Sequence, residues 1–114
     1  MPSSDEQHRI KAMKPRFELV DPAALLALAM VLTSGAKKYG DQDWRRIRDS
    51  RVFVGSAHRH LNQAQRGLVV DPESALPHSV HLMANAMFLT SLDLQGFGME
   101  QWEGWWRATQ TKKE

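Results

Sequence analysis

The chain has 114 residues, of which 42% are hydrophobic and 25% charged, and its formal net charge is +2. This size and composition are typical of one globular domain with a single core. Because the chain has no cysteine, a disulfide scaffold, a thiolate zinc site and a thiol nucleophile are excluded. The longest apolar stretch, residues 23–32, is about half as long as a membrane span. With its polar N-terminal segment, the sequence predicts a cytoplasmic protein without a membrane partner.

Composition divides the chain into three parts. Residues 1–15 are polar and charged without periodicity, which predicts a flexible N-terminus. Residues 16–95 carry helix signals and predict an all-α domain of three main helices with short extra turns. Residues 96–114 form a C-terminal tail with three of the four tryptophans, of which Trp102 and Trp106 share a face if the tail is helical.

The first helix has clear signals at both ends. Asp21 is a suitable N-cap, Pro22 suits the first helical position, and Gly40 ends the helix or the turn after it. Its body is apolar almost all round over residues 23–32, which predicts burial on several sides. Three helices and a tryptophan-rich tail leave much apolar surface, so we expect a homo-oligomer with ligand pockets at or near the interface.

Two further helices follow a polar connection. Periodicity predicts a helix over about residues 51–66, capped by Asp49 or Ser50 and stopped by Gly67. A third helix is predicted over about residues 77–95. It carries two apolar arcs, so we expect it to be central.

Basic residues cluster between residues 36 and 60. This stretch has seven basic and three acidic side chains, which gives a local charge of +4. Such a cluster favours phosphate-bearing partners, although it is also compatible with a solvated surface. A nucleic-acid partner is disfavoured because the cluster is short and no nucleic-acid-binding motif is present.

Aromatic side chains lie among these cations. Lys37, Lys38 and Tyr39 are followed by Trp44 and Arg45. The combination suits a nucleotide, with phosphates on the cations and a base stacked on a ring. Alternatively, the two rings cover the core and the cations are solvated.

Two groups of histidines fall on the second and third helices. His58, Arg59 and His60 lie in the second helix, where Arg59 and His60 are candidates for binding phosphate. His78 and His81 lie in the third helix and share one face with Asn85, at spacings i, i+3 and i+7.

We predict that His58, His78, His81 and Asn85 form the polar wall of a pocket. A hydrogen-bonded network between helices, for instance to Glu73, Ser74 or loop backbone, is the alternative. A metal site is the third and least favoured alternative, because the spacings match no zinc motif, and no metal ligand is assigned.

Several segments resemble a known family. They read RFELVDPAALLALAMVLTSGAKKYGDQDWRR, HRHL and RGLVVDPESALPHSVHLMANAMFL. They resemble the phage-associated family described as dATP/dGTP diphosphohydrolase, N-terminal, over residues 16–94. GAKKYG and DPESALPH are the most specific parts of the resemblance. Asp43 and Ala75 replace the asparagine and glycine that the family leads us to expect.

The resemblance implies a helical bundle distantly related to the MazG-type pyrophosphohydrolases. Those enzymes hold magnesium with Glu-Glu-x-x-Glu and Glu-x-x-Asp motifs on paired helices, because magnesium prefers carboxylate oxygens. Laid on this chain, the motifs fall on residues 56–60 and 78–81, which contain no carboxylate.

Two hypotheses therefore stay open at the level of sequence. In the first, the chain is an enzyme that converts a (d)NTP to a (d)NMP and pyrophosphate, with magnesium as cofactor and the histidines in metal-binding or general-base roles. Alternatively, it sequesters a phosphate-bearing nucleotide, such as a host immune signal during phage infection, and needs no cofactor. A nucleotide ligand, bound in the host cytoplasm if a phage encodes the chain, is common to both.

Overall fold

The computed structural model describes residues 14–111, and this part of the chain is all-α, as predicted. Its helices are α1 (Pro22–Tyr39), α2 (Ser50–Gln65), α3 (His78–Phe97) and α4 (Met99–Thr111). Short 3-10 helices also occur at residues 17–19 and 43–46. Residues 1–13, most of the segment predicted to be flexible, lie outside the described residues.

The helix ends follow from local backbone chemistry. The Asp21 carboxylate accepts the backbone N–H of Ala23 at 3.2 Å and so caps α1. At the other end, Gly40 has a φ of 100° and donates its N–H to the Ala36 carbonyl. Of the two predicted caps of α2, Asp49 is the observed one, and it accepts the N–H of Arg51 at 3.0 Å.

The predicted central position of α3 is confirmed, since α3 packs against each of the other three helices. Its most extensive contact is with α2. Val31 of α1 and Val80 and Ala84 of α3 form the buried apolar cluster, and Phe53 of α2 is also buried. The α2–α3 pair is therefore the rigid base on which polar side chains can be held in place.

Within one chain, α1 is not covered on several sides as its apolar sequence predicts. Leu25, Leu26 and Met30 are 55%, 63% and 48% exposed. The reason is that α1 packs mainly on α3 along one side. An apolar helical surface therefore remains open on the monomer.

The tryptophan-rich tail forms a fourth helix, α4, which adds to the three main helices expected. Trp105 contacts Phe97 of α3 edge-on, with ring centroids 5.0 Å apart. Trp105 and Trp106 stay 51% and 37% exposed. Among the described residues, no helix combines the length and apolarity that crossing a bilayer requires.

The loop between α2 and α3 is closed by backbone hydrogen bonds. The N–H of Asp71 donates to the Leu76 carbonyl, and the N–H of His78 donates to the Val69 carbonyl, both at 2.8 Å. Ala75 adopts a φ of 61° at the turn. These bonds fix Asp71 beside the first turn of α3.

Candidate functional site

An open cleft of about 1430 Å³ lies between the C-terminal end of α1, the 3-10 turn at residues 43–46, α2 and α3. Its volume exceeds the roughly 300–1,000 Å³ of ordinary small-molecule pockets, so a nucleotide can enter. Eight of the side chains singled out in the sequence line the cleft: Lys38, Tyr39, Trp44, Arg45, Arg59, His60, His81 and Asn85.

Three other candidates do not line the cleft. Lys37 and His58 are exposed elsewhere. The lining residues of α2, which include Ser56, Arg59 and His60, lie on one side of the helix, and at about 100° per residue His58 faces the opposite side. His78 lies beneath the surface with 1% exposure, so it supports the wall without forming it.

An imidazole cluster closes the inner end of the cleft. His60 Nδ1 lies 2.9 Å from His78 Nδ1, across the α2–α3 interface. The His60 ring also stacks on the His81 ring, with centroids 4.4 Å apart and planes 7° from parallel. A hydrogen bond between two Nδ1 atoms needs one donor and one acceptor, so at least one ring of the His60–His78 pair is neutral.

The loop side chains complete this cluster. Ser74 Oγ lies 2.7 Å from His81 Nε2, and the Ser74 backbone N–H donates to Asp71 Oδ2 at 2.9 Å. Asp71 Oδ2 is also 3.6 Å from His81 Nε2. Ser74 is thus one of the partners expected for the histidines, whereas Glu73 accepts from Lys38 Nζ at 2.8 Å instead.

The surroundings lower the pKa values of His60, His81 and Asp71, for different physical reasons. Burial lowers the pKa of His60, and the neighbouring His81 and His78 lower it further. Burial also lowers the pKa of His81, although Asp71 partly opposes this. Burial alone raises the pKa of Asp71, but the hydrogen bonds from Ser74 and the charges of His81 and His60 together outweigh it, so the pKa is lowered. Neutral imidazoles beside an ionised carboxylate offer lone pairs more than positive charge, which makes His60 a weaker phosphate ligand than its sequence position indicates.

Asn85 lines the cleft and also joins the two helices. Its Nδ2 group donates to Ser56 Oγ at 3.0 Å and to the His81 carbonyl at 2.9 Å, and the residue is 7% exposed. Ser56 is not among the site residues predicted from the sequence. The signal was present, because Ser56 precedes His60 by four residues and shares its helix face.

Trp44 is held between two neighbours. Its ring stacks on Phe88 of α3, with centroids 4.8 Å apart, and the Arg45 guanidinium carbon lies 4.6 Å from the Trp44 centroid. The phenyl ring and the guanidinium cannot occupy the same ring face at these distances. Trp44 therefore covers the core and positions Arg45 by a cation–π contact, while Tyr39, 63% exposed, is the more accessible ring.

Ion pairing reduces the basic cluster to a few available cations. Lys38 pairs with Glu73, Arg46 with Asp43, and Arg51 with Asp49. Within the part of the chain that the structure describes, Arg45 and Arg59 make no ion pair, and both line the cleft. They are the cations best placed for an anionic ligand.

Magnesium does not fit the donors of this site. Residues 56–60 and 78–81, which face each other on α2 and α3, carry histidine, serine, arginine and aliphatic side chains, whereas Mg²⁺ prefers carboxylate and water oxygens. The nearest acids are Asp71 and Glu73, and Glu73 is paired with Lys38. A group of nitrogen and oxygen donors does form at this place. His60, Asp71 and His78 each contribute one potential ligand atom, and these three atoms lie within 4.8 Å of one another. The spacing of residues in the sequence does not predict this group of donors, because its members come from two helices and a loop.

Comparison with known proteins places the chain in a family. The family model described as dATP/dGTP diphosphohydrolase, N-terminal, matches residues 4–101. The chain belongs to this family. A curated relative, the dATP/dGTP diphosphohydrolase of Salmonella phage PMBT28, is 29% identical over 76 residues. The match covers 67% of this chain and 26% of that protein, so the chain spans about a quarter of the relative's length. No solved structure matches the chain.

Proposed function

We propose that this family member binds phosphate-bearing nucleotides such as dATP and dGTP in the cleft, in the cytoplasm. One observation carries the proposal: Arg45 and Arg59 have no ion pair among the described residues, and both line a cleft that also contains an exposed aromatic ring. Guanidinium groups bind phosphate oxygens through paired N–H donors and stay charged at all relevant pH values. The family's name supports a purine deoxynucleotide as the ligand.

The cleft residues divide into three roles under this proposal. Arg59 and Arg45 bind the phosphates, and Tyr39 stacks on the base. His81 and Asn85 form the polar wall. Lys38 joins the phosphate contacts by leaving Glu73, because an exposed ion pair of this kind contributes only about 0–1 kcal/mol.

Hydrolysis of the nucleotide to its monophosphate and pyrophosphate is the first form of this function. It is supported by the family and by the relative named as a dATP/dGTP diphosphohydrolase. Because this chain spans a quarter of that relative, the relative's activity extends to it only as a proposal. The hypothesis predicts release of pyrophosphate from dATP or dGTP that depends on a divalent metal ion.

Sequestration without hydrolysis is the second form, and it is favoured by the missing carboxylates. The helix positions that hold magnesium in MazG-type enzymes here carry imidazole and guanidinium groups. Such a site holds a phosphate-bearing ligand, for example a nucleotide signal of host immunity, and leaves it intact. The hypothesis predicts that ligand released by denaturing the complex is chemically unchanged.

One incubation separates the two forms. The chain is mixed with a panel of linear and cyclic nucleotides, with and without Mg²⁺, Mn²⁺ or Co²⁺, and the bound and free fractions are analysed by chromatography and mass spectrometry. Intact bound ligand supports sequestration, and metal-dependent pyrophosphate supports hydrolysis. Absence of both binding and turnover across the panel contradicts the proposal. The incubation is repeated with Arg59→Ala, which removes one of the two cleft arginines. Arg66→Ala is the matched control, because Arg66 is an exposed arginine outside the cleft.

We also propose that the chain forms a homo-oligomer. Support comes from α1, where Leu25, Leu26 and Met30 expose apolar side chains on a helix whose sequence is apolar almost all round. A second copy that covers this face removes the apolar surface from water.

A further inference from the structure

Three potential metal ligands converge at the inner end of the cleft. His60 comes from α2, His78 from the first turn of α3, and Asp71 from the loop between them. One donor atom of each lies within 4.8 Å of the other two. We propose that these three side chains bind a divalent transition-metal ion such as Zn²⁺ or Co²⁺.

The distance between the two imidazoles is that of a shared ion. His60 Nδ1 and His78 Nδ1 are 2.9 Å apart. Two nitrogens bound to one ion at about 2.1 Å lie about 3.0 Å apart in octahedral and about 3.4 Å apart in tetrahedral geometry. Metal binding at this place removes the shared proton, separates the two nitrogens by a few tenths of an ångström, and turns both Nδ1 lone pairs toward the ion.

Backbone contacts hold the carboxylate in place before any ion binds. The Asp71 N–H donates to the Leu76 carbonyl, and the Asp71 carbonyl accepts the N–H of Ala75, both at 2.8 Å. The Ser74 N–H then orients the side chain through Asp71 Oδ2. A ligand fixed by its own hydrogen bonds is typical of functioning metal sites.

The chemistry of the donors selects among metals. Two neutral imidazole nitrogens and one carboxylate oxygen suit Zn²⁺ and Co²⁺, whereas Mg²⁺ needs more oxygen ligands than this group offers. His81 is not a member of this group; its Nε2 lies 2.7 Å from Ser74 Oγ and 3.6 Å from Asp71 Oδ2. This donor set differs from the acidic one expected of a magnesium-dependent relative.

The site opens on the cleft. His60 and Asp71 both line it, while His78 is buried behind them. Three protein ligands leave at least one coordination position for water or for an oxygen of a phosphate. Metal binding by these three side chains does not require a nucleotide, and it is tested without one.

The test uses tag-free, full-length chain stripped of metal with a chelator. Zn²⁺ binding is measured by calorimetry, and Co²⁺ binding by its visible absorption, with no nucleotide present. We expect one equivalent of Zn²⁺ to bind, Zn²⁺ to displace Co²⁺, and a large excess of Mg²⁺ to displace neither. We also expect the melting temperature to rise with Zn²⁺, since an ion bound to the folded state alone stabilises it.

Variants of the proposed metal-binding side chains, with matched control variants, test which residues bind the ion. His60→Gln and Asp71→Asn should each weaken Zn²⁺ binding about tenfold or more. His58→Gln on α2 and Asp93→Asn on α3, which alter the same residue types at exposed positions outside the cleft, should bind as the unchanged chain does. Asp71→Asn keeps an oxygen that can accept the Ser74 N–H, and circular dichroism verifies that each metal-free variant is folded.

Three results would overturn the proposal. They are the absence of stoichiometric Zn²⁺ binding, equal Zn²⁺ affinity in Asp71→Asn and the unchanged chain, and displacement of Co²⁺ by Mg²⁺ as readily as by Zn²⁺. If both ligand variants fail to fold, the Co²⁺ spectrum of the unchanged chain decides, because mixed nitrogen and oxygen ligation gives bands that aqueous Co²⁺ lacks.

Discussion

His60 and His78 belong to different helices, yet their Nδ1 atoms lie 2.9 Å apart. This contact joins α2 to the first turn of α3 at the inner end of the cleft. The inner end of the cleft is therefore built from imidazoles, with Asp71 as the nearest acid. Arg59 and Arg45 line the same cleft and supply the positive charge.

The first prediction concerns phosphate binding by Arg59. Arg59→Ala should weaken binding of a deoxynucleoside triphosphate about tenfold to a hundredfold, because a hydrogen bond to a charged group is worth about 1.5–3 kcal/mol. Isothermal titration at fixed salt concentration measures the change. Arg66→Ala should have no effect, and equal losses in the two variants would show that the effect is general charge and not the cleft.

The second prediction concerns base stacking on Tyr39, whose side chain is 63% exposed at the end of α1. Tyr39→Ala should weaken nucleotide binding by about 1–3 kcal/mol, whereas Tyr39→Phe, which keeps the ring, should stay close to the unchanged chain. Equilibrium titration of both variants with the same nucleotide tests this. If Tyr39→Phe loses as much affinity as Tyr39→Ala, the hydroxyl group is responsible and the stacking role is wrong.

The third prediction concerns backbone strain at Ala75. Its φ of 61° lies in the left-handed region, which costs a residue with a Cβ about 1–2 kcal/mol. Ala75→Gly should therefore raise the free energy of unfolding, by up to about 1 kcal/mol after the greater flexibility of unfolded glycine is counted.

Chemical denaturation measures the effect of Ala75→Gly. Ala29→Gly is the control, because Ala29 lies in the middle of α1. This variant should lower the free energy of unfolding by about 1 kcal/mol, since glycine is unfavourable inside a helix. If Ala75→Gly lowered the free energy of unfolding as Ala29→Gly does, the proposal of backbone strain at Ala75 would be wrong.

The fourth prediction concerns self-association through α1. Leu26 is 63% exposed, and Leu26→Glu should shift the chain toward monomer, because a carboxylate at an apolar interface is costly to bury. Sedimentation velocity over a range of concentrations measures the assembly. Gln65→Glu adds the same charge at an exposed position of α2 and should leave assembly unchanged. A monomeric unchanged chain would refute the proposed oligomer.

Features set by local chemistry were predictable from the sequence. Asp21, Gly40 and Asp49 mark helix ends because capping depends on a few adjacent residues. The shared face of His81 and Asn85 follows from helical periodicity in the same way.

Features set by tertiary contact were not predictable. Asp71 reaches the histidines through a loop closed by backbone hydrogen bonds, and no spacing in the sequence encodes that approach. The pairing of Lys38 with Glu73 spans 35 positions, so it removes a predicted free cation without a local signal. The apolar pattern of α1 likewise does not reveal whether its own chain or a partner covers Leu26.

The most direct test is a calorimetric titration of the tag-free chain with dATP and dGTP, performed alongside the double variant Arg45→Ala/Arg59→Ala. Our account predicts saturable binding of at least one of the two nucleotides to the unchanged chain and its loss in the folded double variant. Absence of binding to the unchanged chain, or equal affinity in the double variant, would contradict nucleotide binding in this cleft.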